Sequence, residues 1–112
     1  MENTESLKKR TDFKKVYDNK KSYANKYLVM YVKKNDLNIN RLGISVSKKV
    51  GNSVVRHRVK RLIKEGYRLQ EDRFKYGYDI VVIARNSVVG KSAQEVEKAV
   101  VHLGSLHHLL ID

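Results

Sequence analysis

The chain has 112 residues, 41% hydrophobic and 32% charged, with 24 Lys and Arg against 12 Asp and Glu for a formal net charge of +12. That length suits a single domain, residues 1–112, around one core. The lack of cysteine excludes disulfide scaffolds and thiolate metal sites and favours a cytoplasmic address; no run approaches the ~18 apolar residues of a membrane span, and the polar residues 1–6 do not read as a signal peptide.

A short helix is expected over residues 11–19. Thr11 can cap it, and Phe13, Val16 and Tyr17 share one side. Residues 27–33 read as a strand, with Tyr27, Val29 and Tyr31 on one face and Leu28, Met30 and Val32 on the other. Residues 35–40 are an Asn/Asp-rich turn whose length suits a hairpin into a second strand, residues 42–48. There Leu42, Ile44 and Val46 alternate with Gly43, Ser45 and Ser47, which leaves a floor of small residues opposite the core face.

Gly51-Asn52-Ser53 opens a helix to about residue 69, with Asn52 or Ser53 as its cap. Residues 78–85 are almost continuously apolar, as in a central strand covered on both faces. Ser92-Ala93-Gln94-Glu95 is a capping box ahead of a last helix that carries Val96, Val100 and Leu103 at helical spacing. The order helix, strand, strand, helix, strand, helix gives an α+β fold, with helices packed on a small central sheet.

The charge is concentrated. Residues 21–50 sum to +6 and residues 51–70 to +5, whereas residues 71–112 come to −1. Such asymmetry marks a face for a polyanion. On a helical wheel with Arg56 at zero, Arg56, Lys60, Lys64, His57, Arg68 and Arg61 fall within about 140°. Leu69, Leu62, Val55, Gly66, Val59 and Ile63 fall on the opposite arc, with Tyr67 inside the basic arc and Arg58 at its far edge. Gly66 on the packed face implies close approach to a strand. Guanidinium forks suit phosphate better than a merely solvated face requires. Lys48, Lys49 and Gly51 precede the helix at a turn where free backbone N–H groups also attract phosphate, although the order of residues is not that of a Walker loop.

No protein catalytic constellation is visible, and His102, His107 and His108 are poorly spaced for one metal; histidines placed by the helix dipole explain them better. The aromatic residues Phe13, Tyr17, Tyr27 and Tyr31 could stack single-stranded bases, and the same pattern also suits core-filling side chains.

The run from Ser45 to Glu65, with Ser47-Lys48-Lys49, Gly51 and Arg56-His57-Arg58-Val59-Lys60-Arg61, resembles the signature of the bacterial ribonuclease P protein subunit. Leu7-Lys8-Lys9 with Asp12-Phe13, and the late strand Ile80-Val81-Val82-Ile83-Ala84-Arg85, are similar to that family too. The chain departs from the pattern at His57, where relatives carry Asn between the two arginines, and near Ser53, where a small residue is usual.

The resemblance implies a compact domain with a left-handed β-α-β crossover, similar to domain 2 of ribosomal protein S5. It implies two partners, the ribonuclease P RNA and precursor tRNA, and an isolated subunit that is monomeric. The holoenzyme of such a family is an endoribonuclease that removes the 5′ leader of precursor tRNA, with Mg²⁺ held mainly by the RNA, and the protein has no catalytic residues. By the same resemblance Arg56, His57, Arg58, Lys60, Arg61, Lys64 and Arg68 face the catalytic RNA. Phe13, Tyr17 and Tyr31, with Lys48 and Lys49 nearby, hold the leader.

Two other classes share the charge and size. A small ribosomal protein would co-purify with ribosomal RNA instead. A helix-turn-helix DNA-binding protein is disfavoured, because no helix stands a short turn before the basic one.

Overall fold

The computed structural model describes residues 1–111. Its elements in chain order are β1 (Thr4–Ser6), α1 (Arg10–Asp18), β2 (Ser22–Ala24), β3 (Leu28–Lys34), β4 (Asn40–Ser45), α2 (Ser53–Gln70), β5 (Tyr78–Ala84) and α3 (Ala93–Leu106). Single 3₁₀ turns follow α2 and β5. The strands form one mixed sheet in the order β1-β4-β5-β3-β2.

The apolar run of β5 lies at the centre of the sheet. It pairs antiparallel with β3 on one side and parallel with β4 on the other. Alternation then divides the sheet faces. Leu28, Met30, Val32, Leu42, Ile80, Val82 and Ala84 point to the main core, which is completed by Val59, Ile63 and Tyr67 of α2 and by Val96, Val100 and Leu103 of α3. On the other face Val81 forms a second, smaller cluster with Leu7 and Val16 of the α1 region. One helix therefore lies on one face and two on the other.

The expected hairpin between residues 27–33 and 42–48 does not form: β5 is inserted between those strands. The loop joining β3 to β4 passes the start of β5. Asn35 N donates to the Gly77 carbonyl at 2.9 Å, and Asn35 Nδ2 donates to Asp79 Oδ1 at 3.0 Å. Arg41 of β4 forks the same carboxylate, Nε to Oδ1 at 2.8 Å and Nη2 to Oδ2 at 2.6 Å. Turn composition signals that the chain reverses, but not which strand fills the gap. Parallel pairing of β4 and β5 needs a long crossover, and α2 supplies it as a β-α-β unit.

Four smaller expectations are corrected. Thr11 does not cap α1. The helix begins at Arg10 with Lys9 at the N-cap position and no side-chain cap bond. β1 and β2 were not foreseen, because three residues each, mostly exposed, carry no readable alternation. Gly66 lies against α3 rather than a strand: a Cβ there would stand 3.0 Å from the Glu97 Cα. Tyr67, placed by the wheel among the cations, is fully buried, while Leu69 is 55% exposed. β1 is the cause, since it brings the Thr4 hydroxyl within 2.8 Å of the Tyr67 hydroxyl and so carries the core round that side of α2. Asn40 Nδ2 adds a bond to the same phenol at 3.2 Å.

The caps read from sequence are in place. Asn52 Oδ1 accepts from Val55 N at 3.0 Å, and both halves of the Ser92/Glu95 box are made.

Candidate nucleic-acid interface

α2 is held by Val59, Ile63, Gly66 and Tyr67 on its buried side. Its outward side carries His57, Arg58, Lys60, Arg61, Lys64 and Arg68, all exposed, with Arg56 half-buried. Glu65, the one acid on the helix, is taken up by Arg68 through two bonds at 3.0 and 2.5 Å, which lower its pKa below the usual carboxylate value. Glu5 of β1 lies beside Lys60, Arg61 and Lys64, and among the described residues the Arg56 Nε is buried with no hydrogen-bond partner. A stripe of this kind presents several donors to one line of phosphates.

β1 and the following segment lie beside this stripe. They enclose a groove of about 280 Å³, with Leu7, Leu42 and Ile44 as an apolar floor and Lys8, His57, Lys60 and Lys64 along its rim. Lys8 is a groove cation that charge counting could not assign, because only the β1–β4 pairing brings it next to α2.

The opposite sheet face carries the aromatic residues. The Tyr17 and Tyr31 rings stand edge to face, 5.0 Å apart at 81°, and Phe13 and Tyr17 are 6.4 Å apart. All three are half-buried around Val16 and Val81. They belong to a small core and also keep one side open to solvent. Burial raises the Tyr17 phenol above its ordinary pKa despite the neighbouring Ser45 hydroxyl, so it stays a neutral donor at physiological pH. Gly43 and Ser45 of β4, with Val81 and Ile83 of β5, form the floor of this cleft. Lys48 and Lys49 stand exposed in the turn just after β4.

α1 is fastened over this floor at one end by charge. Arg41 Nη1 lies 3.6 Å from Asp12 of α1 while the same guanidinium forks Asp79. Burial pushes the Asp79 carboxyl up, but the bonds from Arg41 and Asn35 outweigh it and hold the group below the usual carboxylate range. These two acids are therefore committed to Arg41. Among the described residues no three His, Asp or Glu side chains come together as a cation site. His107 is not a dipole-favoured cation. His107 packs its ring on Tyr23 and bonds the Met30 carbonyl at 2.8 Å, and burial lowers its pKa.

A small basic α+β domain with a cationic helix on one side of its sheet and a half-open aromatic cleft on the other is an RNA-binding domain. The family model described as Ribonuclease P matches residues 1–106. The ribonuclease P protein component of Lachnoclostridium phytofermentans is 59% identical over 107 residues, covering 96% of this chain and 92% of that protein. The component from Alkaliphilus oremlandii is 54% identical, covering 87% and 85%. Two solved structures share the fold. The RNase P protein of Staphylococcus aureus has a TM-score of 0.85 at 33% identity, covering 94% of this chain and 96% of that one. The protein from Thermotoga maritima has a TM-score of 0.82 at 32% identity, covering 88% and 94%. The chain belongs to the ribonuclease P protein family, and membership brings with it a part in tRNA processing and a partnership with the ribonuclease P RNA.

Proposed function

We propose that the protein binds the catalytic RNA of ribonuclease P through the outward stripe of α2 and holds the 5′ leader of precursor tRNA in the cleft between α1 and the sheet. In this reading the endonucleolytic chemistry belongs to the RNA, and Mg²⁺ held by RNA phosphates supplies charge stabilisation and an activated water there. The protein contributes binding and position. The observation that carries the reading is the pairing of two surfaces with different chemistry on one small sheet. One is a row of cations suited to a structured phosphate backbone, and the other is the half-open trio Phe13, Tyr17 and Tyr31 suited to unpaired bases. Arg56, Arg58, Lys60, Arg61 and Lys64 make the catalytic-RNA contacts, with His57 among them. Arg68 contributes less, being already shared with Glu65.

Reconstitution with the cognate catalytic RNA at low Mg²⁺ tests the proposal. Tyr31→Ala is expected to weaken precursor tRNA by roughly 1–3 kcal/mol, the worth of one base–aromatic stack, and to leave mature tRNA unaffected. Equal loss for both substrates would return Tyr31 to a purely structural role.

A further inference from the structure

The groove between β1 and α2 has a floor that phosphate binding does not explain. Its rim is cationic, with Lys8 on the β1 side and Lys60 and Lys64 on the α2 side, but its floor is the carbon of Leu7, Leu42 and Ile44. Leu42 and Ile44 alternate with Gly43 along β4 and so share the face on which α2 packs. Ser6, the ladder partner of Leu42, borders that floor from β1 with only a short hydroxymethyl side chain. A hollow of about 280 Å³ therefore stays open between the strand edge and the helix.

Lys60 and Lys64 are one helical turn apart and exposed. The simpler account has their aliphatic stems covering the floor. Yet the hollow is what remains with both stems in place. An anion gains nothing from aliphatic carbon beneath it, and the Glu5 carboxylate in the same lining disfavours a phosphate there. A nucleobase has the opposite character. Its face can be buried on side-chain carbon, its edge hydrogen-bonds, and its own phosphates lie one sugar away, where a cationic rim can take them. Ser6 and His57 can each donate to or accept from such an edge.

We propose that this groove seats one unpaired base of the catalytic RNA, laid on Leu42 and Ile44, with its flanking phosphates on Lys8, Lys60 and Lys64. The proposal rests on the assignment of the α2 stripe to that RNA and goes further, since the stripe alone accounts only for backbone contacts. It also gives β1 a role in binding, because that strand is the second wall of the groove.

The two kinds of contact respond differently to salt. A lost phosphate contact lowers the slope of log K against log salt, whereas a lost base contact lowers K and leaves the slope alone. Ile44→Thr keeps a β-branched side chain in the strand but puts a hydroxyl on the floor. Ser6→Leu removes nothing from the core and fills the hollow. Both are expected to weaken binding of the catalytic RNA about fivefold, the low end for one base–side-chain stack, at unchanged slope. Base-directed chemical probing should show one unpaired nucleotide that the parent protein shields and both variants leave reactive. The denaturant midpoint is expected to fall for Ile44→Thr alone, so loss of affinity in Ser6→Leu cannot come from misfolding. Lys60→Ala with Lys64→Ala is the control for the stripe, with a slope smaller by about 1.8 for two phosphate contacts. Parent-like affinity in either groove variant, a lowered slope in either, or no shielded nucleotide overturns the base seat. If the lysine pair leaves the slope unchanged, the α2 stripe itself is misassigned; if the slope falls while the groove variants bind as the parent does, only the base seat is.

Discussion

The Phe13 ring occupies the space that a side chain at Gly43 would need. A Cβ built on Gly43 would stand 2.5 Å from Phe13 Cζ and 2.9 Å from Cε2. The small-residue floor of β4 is what allows α1 to bring an aromatic down onto the sheet. Gly43→Ala forces the ring to move, and because the clash is with the far end of a half-buried side chain the strand can stay in place. The expected stability loss is about 1 kcal/mol, the low end of overpacking. Discrimination between precursor and mature tRNA should fall while affinity for the catalytic RNA stays unchanged. Retention of full discrimination would mean that Phe13 is not part of the leader surface.

Gly66→Ala is predicted to behave differently. Alanine favours a helix interior over glycine by about 1 kcal/mol. Here the new Cβ would meet the Glu97 Cα at 3.0 Å and the Glu97 N at 3.4 Å, backbone atoms of α3 that cannot turn aside. Overpacking of that kind is unfavourable by roughly 1–3 kcal/mol, so the packing penalty should win. A lower denaturant midpoint at unchanged m-value is the expected result, and a raised midpoint would show that α2 and α3 separate freely.

Arg56→Ala with Arg61→Ala should weaken binding to the catalytic RNA and flatten its salt dependence by about one unit of slope per lost phosphate contact. Among the described residues neither is ion-paired to an acid, so the change reads mainly on RNA contact. An identical slope in the variant would remove this stripe from the interface.

His107 gives the chain a predictable pH dependence. Burial lowers its pKa below the ordinary 6.5, and the charges of His108 and Lys21 act in the same direction against the bond to the Met30 carbonyl. As the pH falls through the unfolded value, the unfolded chain takes up a proton that the folded chain declines, and stability drops. His107→Gln should show a shallower decline in denaturant midpoint between about pH 7.5 and pH 5.5 than the parent protein. Parallel declines would assign the pH dependence to other groups.

The sequence by itself determined the elements whose information is local. The α2 cap at Asn52, the Ser92/Glu95 box, the face alternation of β3 and the apolar run of β5 depend on residues within a turn or a strand of one another. The run from Ser45 to Glu65 carried the family, and charge density alone already singled out α2.

Only the tertiary structure decided what depends on chain segments far apart. β5 enters between β3 and β4 because Arg41 and Asn35 meet Asp79 across 38 and 44 residues. Tyr67 is buried because β1, 63 residues away, supplies Thr4. The aromatic cleft and the Lys8 rim of the α2 groove arise in the same way. Periodicity specifies which face of an element is apolar, but strand order specifies what that face meets. In this protein strand order sets the basic helix and the aromatic cleft on opposite faces of one sheet.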